Sequence, residues 1–234
     1  MYNRIILKLS GEALGNGEEK LDPNTLDAIA SQIVAIADKG VKVAVVVGGG
    51  NFARGRSLSA LGMDRTSADY IGMLGTVMNA LALQAAIRKA GRKALAVSAI
   101  RIDGVTFFER DLVKNEMDNG TVIIFGGGIA NPYFSTDSTA ALRACQLEAE
   151  VILMAKNGVD GVYDSDPDIN PDAKRFDCLT FNDILLKNLK VIDATAAGLC
   201  RENHISAFVF DMGVENNIIN AVSGNAIGTL IKED

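Results

Sequence analysis

The sequence is poor in residues that carry several familiar chemistries. Its single histidine, His204, has no serine, cysteine or carboxylate at an interpretable spacing, which leaves a triad hydrolase without a base and makes a structural role the expectation. Three cysteines, Cys145, Cys178 and Cys200, are odd in number and far apart. That supports neither a disulfide framework nor a zinc knuckle, and it favours a reducing compartment. Four prolines stand against 23 glycines, a balance that suits tight turns better than disordered linkers. A basic surplus is missing too. The net charge of −6 argues against a nucleic-acid polymer as partner, although backbone amides and a few cations can still hold a small anion. No uninterrupted apolar run approaches the roughly 18 residues of a membrane span. The chain opens on a charged strand instead of a signal-peptide core, so no membrane and a cytoplasmic location are expected.

What the sequence does have is alternation. Of its 234 residues 48% are apolar, enough for one large core. Short apolar runs at 5–9, 41–47, 94–98, 121–125, 151–155 and 207–210 read as strands, mostly continuous and therefore buried on both faces. Between them lie helical patterns. Leu26, Ile29, Ile33 and Ile36 share one face, with Asp22 as N-cap, Pro23 as first helical residue and Gly40 past the end. Further helices are predicted at 66–90, from Thr136 to Glu150, at 181–188 and at 194–203. There is no internal repeat, low-complexity run or convincing boundary. The expected architecture is α/β, a single domain over residues 1–234, built as a three-layer αβα sandwich around a mostly parallel sheet.

Three of the strands empty into glycine-rich turns: SG at 10–11, GGG at 48–50 and GGG at 126–128. Unobstructed amides beside a strand-borne lysine, Lys8, make a receptor for phosphate oxygens. The competing reading puts Lys8 on an edge strand, snorkelling to solvent. GGGNFA at 48–53 also fits a loose dinucleotide fingerprint, but it follows the second strand, and the acid some twenty residues on, Asp69, falls inside a helix. The P-loop pattern is absent. Arg54 could point back to phosphates from a first helical turn or be a solvated surface arginine. The acidic loop at 164–170 imitates a calcium loop but has Ile169 and Arg175 where glycine and glutamate are required. The Met- and Leu-rich helix at 66–90 suits a core or a subunit contact better than a cofactor site.

The segments KLSGE at 8–12, GGGN at 48–51 with Arg54, DYIGMLGTVMN at 69–79, NPYFSTDS at 131–138 and VDGVYDSDP at 159–167 resemble the bacterial uridylate (UMP) kinases, a branch of the amino acid kinase superfamily. The resemblance runs from Arg4 to Lys232. Its first two segments are shared loosely across the superfamily; the third and fourth are much more specific to this branch. It implies the amino acid kinase fold, with ATP and UMP as substrates and Mg2+ as cofactor. Lys8, Leu9, Ser10 and Gly11 would take ATP phosphates, with Gly50 and Arg54 on the same side. Asn157, Tyr163 and Asp166 would hold adenine and ribose. Gly49 would face the UMP phosphate, Asp69 the ribose hydroxyls, and Ile129, Ala130, Asn131, Pro132, Tyr133, Phe134, Ser135 and Thr136 would wrap the nucleotide. Asp137 would stand at the reaction centre, and Asp193 matches a second acidic position near the substrates.

The chemistry agrees with so little histidine. A phosphate is already an anionic nucleophile, so in-line transfer needs positioning and charge neutralisation, without a general base. Magnesium would be held mainly by phosphates and water, with no direct protein ligand. The resemblance further implies a homo-oligomer, a hexamer in the family. One segment departs: EEKLDP at 18–23 replaces the family's GFGIDP, which contributes to activation by GTP, so a rate indifferent to GTP is expected. The rival readings are a superfamily kinase for a carboxylate or carbamate, and a catalytically silent nucleotide-binding protein.

Overall fold

Strand alternation decides which way each apolar run buries its side chains. The computed structural model describes residues 1–53, 58, 60–167 and 169–233; Arg54 lies outside them. The chain runs β1 (Arg4–Leu9), α1 (Pro23–Asp38), β2 (Lys42–Val47), α2 (Arg65–Lys89), β3 (Ala94–Ser98), β4 (Thr106–Phe107), α3 (Arg110–Asp118), β5 (Val122–Gly126), α4 (Thr136–Leu147) and β6 (Val151–Lys156). It continues with β7 (Val162–Tyr163), β8 (Arg175–Phe176), β9 (Cys178–Thr180), α5 (Phe181–Leu186), α6 (Ala194–Glu202), β10 (Ser206–Asp211), α7 (Asn217–Ser223) and β11 (Gly228–Lys232). Nine strands form one sheet in the order β4-β3-β5-β2-β1-β6-β10-β11-β9, while β7 and β8 pair as a separate ribbon. Only the β10–β11 pairing is antiparallel in the large sheet.

Two apolar clusters cover the two faces. Ile5, Leu7 and Leu9 of β1 pack with α1, α2 and α7, whereas Ile6 packs with α3, α4, α5 and α6. The period of two then sends Lys8 to the same side as Ile6. The layers are therefore helix, sheet, helix, as the alternating pattern predicts. β1 lies between β2 and β6, so Lys8 is on a central strand and cannot be the snorkelling edge lysine of the competing reading.

Expected boundaries move where capping overrides periodicity. The helix predicted to reach Glu150 stops at Leu147, because Glu148 turns left-handed (φ 57°) and the Ala149 amide closes on the Ala144 carbonyl. Glu150 then accepts from the backbone amides of Asn3 and Arg4 at 3.0 and 3.1 Å, steering the chain into β6 beside β1. α1 begins as expected, with the Asp22 carboxylate accepting from the Thr25 amide at 2.7 Å. α2 starts one residue earlier than predicted, capped by Asp64. It is also long and apolar enough, at mean hydropathy 1.4, to cross a membrane by length and composition. Half of that window is buried within the fold, and the helix packs against β3, β5 and α1.

Candidate active site

The carboxyl ends of β1, β2, β5 and β6 open into one region, the usual place for ligands in a parallel sheet. Lys8 Nζ lies 2.9 Å from Asp137 Oδ1, with both side chains largely buried. The approach angle falls short of hydrogen-bond geometry, so Oδ1 accepts no hydrogen bond among the described residues. Asp137 sits in the first turn of α4, where a carboxylate also meets the positive end of the helix dipole. That turn is fixed by Ser135, whose hydroxyl accepts from the amides of Asp137 and Ser138 and donates to Asp193.

Asp193 is thereby placed. Its carboxylate receives the hydroxyls of Ser135 and Ser138 and caps α6 through the Ala196 amide at 2.8 Å. It couples the start of α6 to the start of α4, and so acts on Asp137 through the helix turn.

The glycine turns owe their shape to α2. A Cβ on Gly49 would lie 2.3 Å from the Gly72 carbonyl oxygen, so only glycine lets turn and helix come this close. Gly11 is equally confined, by Asn51 and Gly50. Fully buried Asn79 donates to the Gly48 carbonyl at 2.7 Å and exchanges hydrogen bonds with Asn51. Thr76 receives the Gly127 amide at 2.7 Å, fixing the third turn to the same helix. Replacing Asn79 by alanine strips the buried Gly48 carbonyl and the half-buried Asn51 of their partner at once. The expected loss is about 2–3 kcal/mol in urea unfolding; an unchanged midpoint would show the amide pair to be dispensable.

A cavity of about 450 Å³ lies beside these turns. Gly49, Gly50, Asp69, Asn131, Phe134, Ser135 and Thr136 line it, together with Met73 and Thr76. Ile129, Ala130, Pro132 and Tyr133 belong to the same loop without forming its wall. That loop is strained: Ala130 and Tyr133 both take positive φ, 60° and 72°. Asp69 steadies it by accepting from the Tyr133 amide at 2.8 Å, while Arg65 lies over the Tyr133 ring. The Oδ2 atom of Asp69 is thus partly committed to the loop, and Oδ1 is the oxygen better placed to serve a ligand.

A second cavity, of about 600 Å³, is lined by Lys156, Gly161, Tyr163, Asp166 and the segment from Lys187 to Val191. The Tyr163 hydroxyl donates to Asp160 Oδ1 at 2.7 Å, and Asp160 Oδ2 pairs with Arg175 at 2.7 Å. Burial alone would raise the Asp160 pKa, but Tyr163 and Arg175 outweigh it and hold the carboxyl below its usual range. With its hydroxyl engaged, Tyr163 offers the cavity chiefly its ring. Asn157 does not line this space; its Oδ1 lies toward Gly213.

Lys156 is absent from the sequence-based site, yet it borders the second cavity. Its Nζ donates to the Val191 carbonyl at 3.2 Å. Burial lowers its pKa, Lys8 adds to the lowering, and Asp137 opposes it. The signal available in the sequence was an apolar run ending on lysine, as the run around Lys8 nearly does. Among the described residues no three His, Cys, Asp or Glu side chains are grouped to hold a metal ion.

The sequence profile of the amino acid kinase family matches residues 3–211. The uridylate kinase of Streptomyces avermitilis is 49% identical over 231 residues, covering 97% of this chain and 91% of that protein. The crystal structure of UMP kinase from Ureaplasma parvum superposes with a TM-score of 0.95 at 41% identity, covering 100% of both chains. The UMP kinase of Bacillus anthracis gives 0.96 at 36% identity, covering 100% of this chain and 97% of the other.

Proposed function

The chain belongs to the amino acid kinase family, and we propose that it transfers the γ-phosphate of ATP to UMP, giving UDP and ADP. The observation that carries this reading is the Lys8–Asp137 ion pair together with two cavities: one is walled by the Gly49 turn, Asp69 and Thr136, next in sequence to Asp137, the other by Tyr163, Asp166 and Lys156. The smaller takes UMP, with its phosphate against Gly49 and the amides at the start of α4, and its ribose toward Asp69. The larger takes the adenosine of ATP, whose phosphates extend along residues 8–11 and Gly50 toward Lys8. Arg54 belongs by its sequence position on the ATP side.

In this arrangement no residue needs to remove a proton. A UMP phosphate oxygen attacks the γ-phosphorus in line, and Lys8 neutralises charge on the transferred group. Asp137 keeps Lys8 aimed, its Oδ1 lying 2.9 Å from the ammonium. Magnesium, when bound to the nucleotide, would supply further charge neutralisation, held mainly by phosphates and water. Asp193 is a positioning residue for the turn that bears Asp137.

The whole chain is proposed to work as one kinase domain in the cytoplasm, in keeping with its three free cysteines. A stripe on α2, with Tyr70, Leu74, Met78 and Leu81 all exposed, is the proposed contact between copies in a homo-oligomer, a hexamer by resemblance.

The test is ADP release with magnesium and ATP, offering UMP, CMP, dUMP, GMP, carbamate or N-acetylglutamate. UMP is expected to turn over best, with kcat/KM for dUMP lower by about ten- to a hundredfold, because a hydrogen-bonded hydroxyl is missing opposite a carboxylate. Equal rates for UMP and dUMP would remove the role given to Asp69. Turnover with carbamate or N-acetylglutamate instead would move the chain to another branch, and ATP binding without turnover would make it a silent nucleotide-binding protein.

A further inference from the structure

We propose that Lys156 is a second cation of the reaction centre, meeting the diphosphate that leaves as Lys8 meets the phosphoryl group that moves. This rests on the kinase reading above and adds a residue to it.

Strand register places the two lysines together. Leu153 and Ala155 of β6 pack toward α1 and α2, Ile152 and Met154 toward α4 and α6, so Lys156 follows onto the second face, the face of Lys8. Leu9 pairs with Ala155 and Lys8 with Met154. Lys156 therefore stands on the adjacent strand two residues farther toward the open end than the partner of Lys8. Lys8 is paired with Asp137; Lys156 borders the larger, nucleotide-side cavity.

Among the described residues no carboxylate forms an ion pair with Lys156. Among the described residues its hydrogen-bond partner is the Val191 carbonyl, not a carboxylate. Asp211 is opposite Lys156 in register on β10, but its Oδ1 accepts the amides of Gly158 and Gly213 at 3.0 and 2.8 Å. Asp137 pairs with Lys8. Two largely buried lysines on one face of the sheet thus have a single ion pair between them, that of Lys8 with Asp137, an arrangement that favours an anion near Lys156.

The chemistry supplies that anion. As the UMP phosphate oxygen bonds to the γ-phosphorus, the bond from that phosphorus to the β–γ bridging oxygen breaks, and its electron pair remains on ADP. Charge therefore grows on the β-phosphate during the step. An ammonium donating there stabilises the transition state more than bound ATP, which raises kcat. No proton needs to move.

A bracing role for Lys156, tying residues 187–191 to the sheet through Val191, is the alternative, and ligand binding separates the two. In the full-length protein, Lys156→Met is expected to lower kcat by roughly 10²–10³-fold with the UMP KM changed by less than about threefold. By calorimetry its Kd for ADP should rise about tenfold, the loss expected from one charge-assisted phosphate contact, while that for adenosine stays put. Retained adenosine binding also shows that the variant is folded. Lys156→Gln, which keeps a donor for Val191 without the charge, should match Lys156→Met. Equal weakening of ADP and adenosine, or a glutamine variant that behaves as wild type, would overturn the proposal. Wild-type protein without UMP-dependent turnover would instead count against the kinase reading itself.

Discussion

Lys8→Ala is expected to cut UMP-dependent ADP release by about 10³–10⁵-fold while leaving a folded protein that still binds adenosine. The magnitude is that of removing a cation aimed at charge on a transferring phosphoryl group. Two features of the site make the effect local. The β1 backbone is hydrogen-bonded to strands on both sides, so losing the side chain does not loosen the strand. Asp137 keeps 16% of its side chain exposed, so water can reach it once Lys8 is gone. An unpaired carboxylate there costs about 1–3 kcal/mol, well short of unfolding a chain of this size. Initial rates, thermal midpoint and adenosine binding would be read together. Normal turnover in a folded Lys8→Ala protein would remove the central claim about the site.

Gly49→Ala should have the second largest effect, acting through shape instead of charge. Its new methyl would lie 2.3 Å from the Gly72 carbonyl oxygen and 3.2 Å from both the Thr76 amide nitrogen and its methyl group. These are backbone and buried atoms, so turn and helix must separate. Overpacking of this kind costs about 1–3 kcal/mol, and a displacement near 1 Å at a substrate-positioning element costs roughly 10² in rate. The expected outcome is a lower thermal midpoint and a kcat/KM for UMP reduced by about a hundredfold. Gly198→Ala is the control with opposite sign. Gly198 lies within α6 with nothing within 4 Å of its would-be Cβ, so alanine there should stabilise by about 0.5–1 kcal/mol and leave the rate alone. If both substitutions behaved alike, the tight contact between the Gly49 turn and α2 would not matter to function.

The sequence makes the sheet's central strands legible because they are buried on both faces and so read as unbroken apolar runs. It hides β4, β7 and β8, which have two residues each, too few for any period to show. It hides α3 as well, where only Val113 and Met117 are buried, a single i,i+4 pair on an otherwise polar helix. Lys8 and Asp69 stand out as charges among apolar residues. The brace between Thr76 and Gly127 spans 51 positions and leaves no local mark. Lys156 was concealed differently: a strand drawn to the last apolar residue, Ala155, ends one step before the side chain that borders the second cavity. The link from Asp193 to Ser135 and Ser138 spans more than fifty residues, and only the packing of α6 beside α4 brings them together.

The place of β1 in the sheet bears on how the protein is made. This strand leaves the ribosome well before β6, which it needs along its second edge and which is not complete until residue 156. At about 5–20 residues per second, that edge waits on the order of ten seconds during synthesis. Throughout that interval the nascent chain carries an apolar strand with open backbone groups, the kind of edge that pairs with the wrong neighbour. A chain truncated before β6 would keep its glycine turns and Lys8 on the β4-β3-β5-β2-β1 part of the sheet, with the second edge of β1 open. The surroundings of Lys8 are therefore completed long after Lys8 itself is made, and cells that make much of this protein would depend on keeping its unfinished form apart from its own copies.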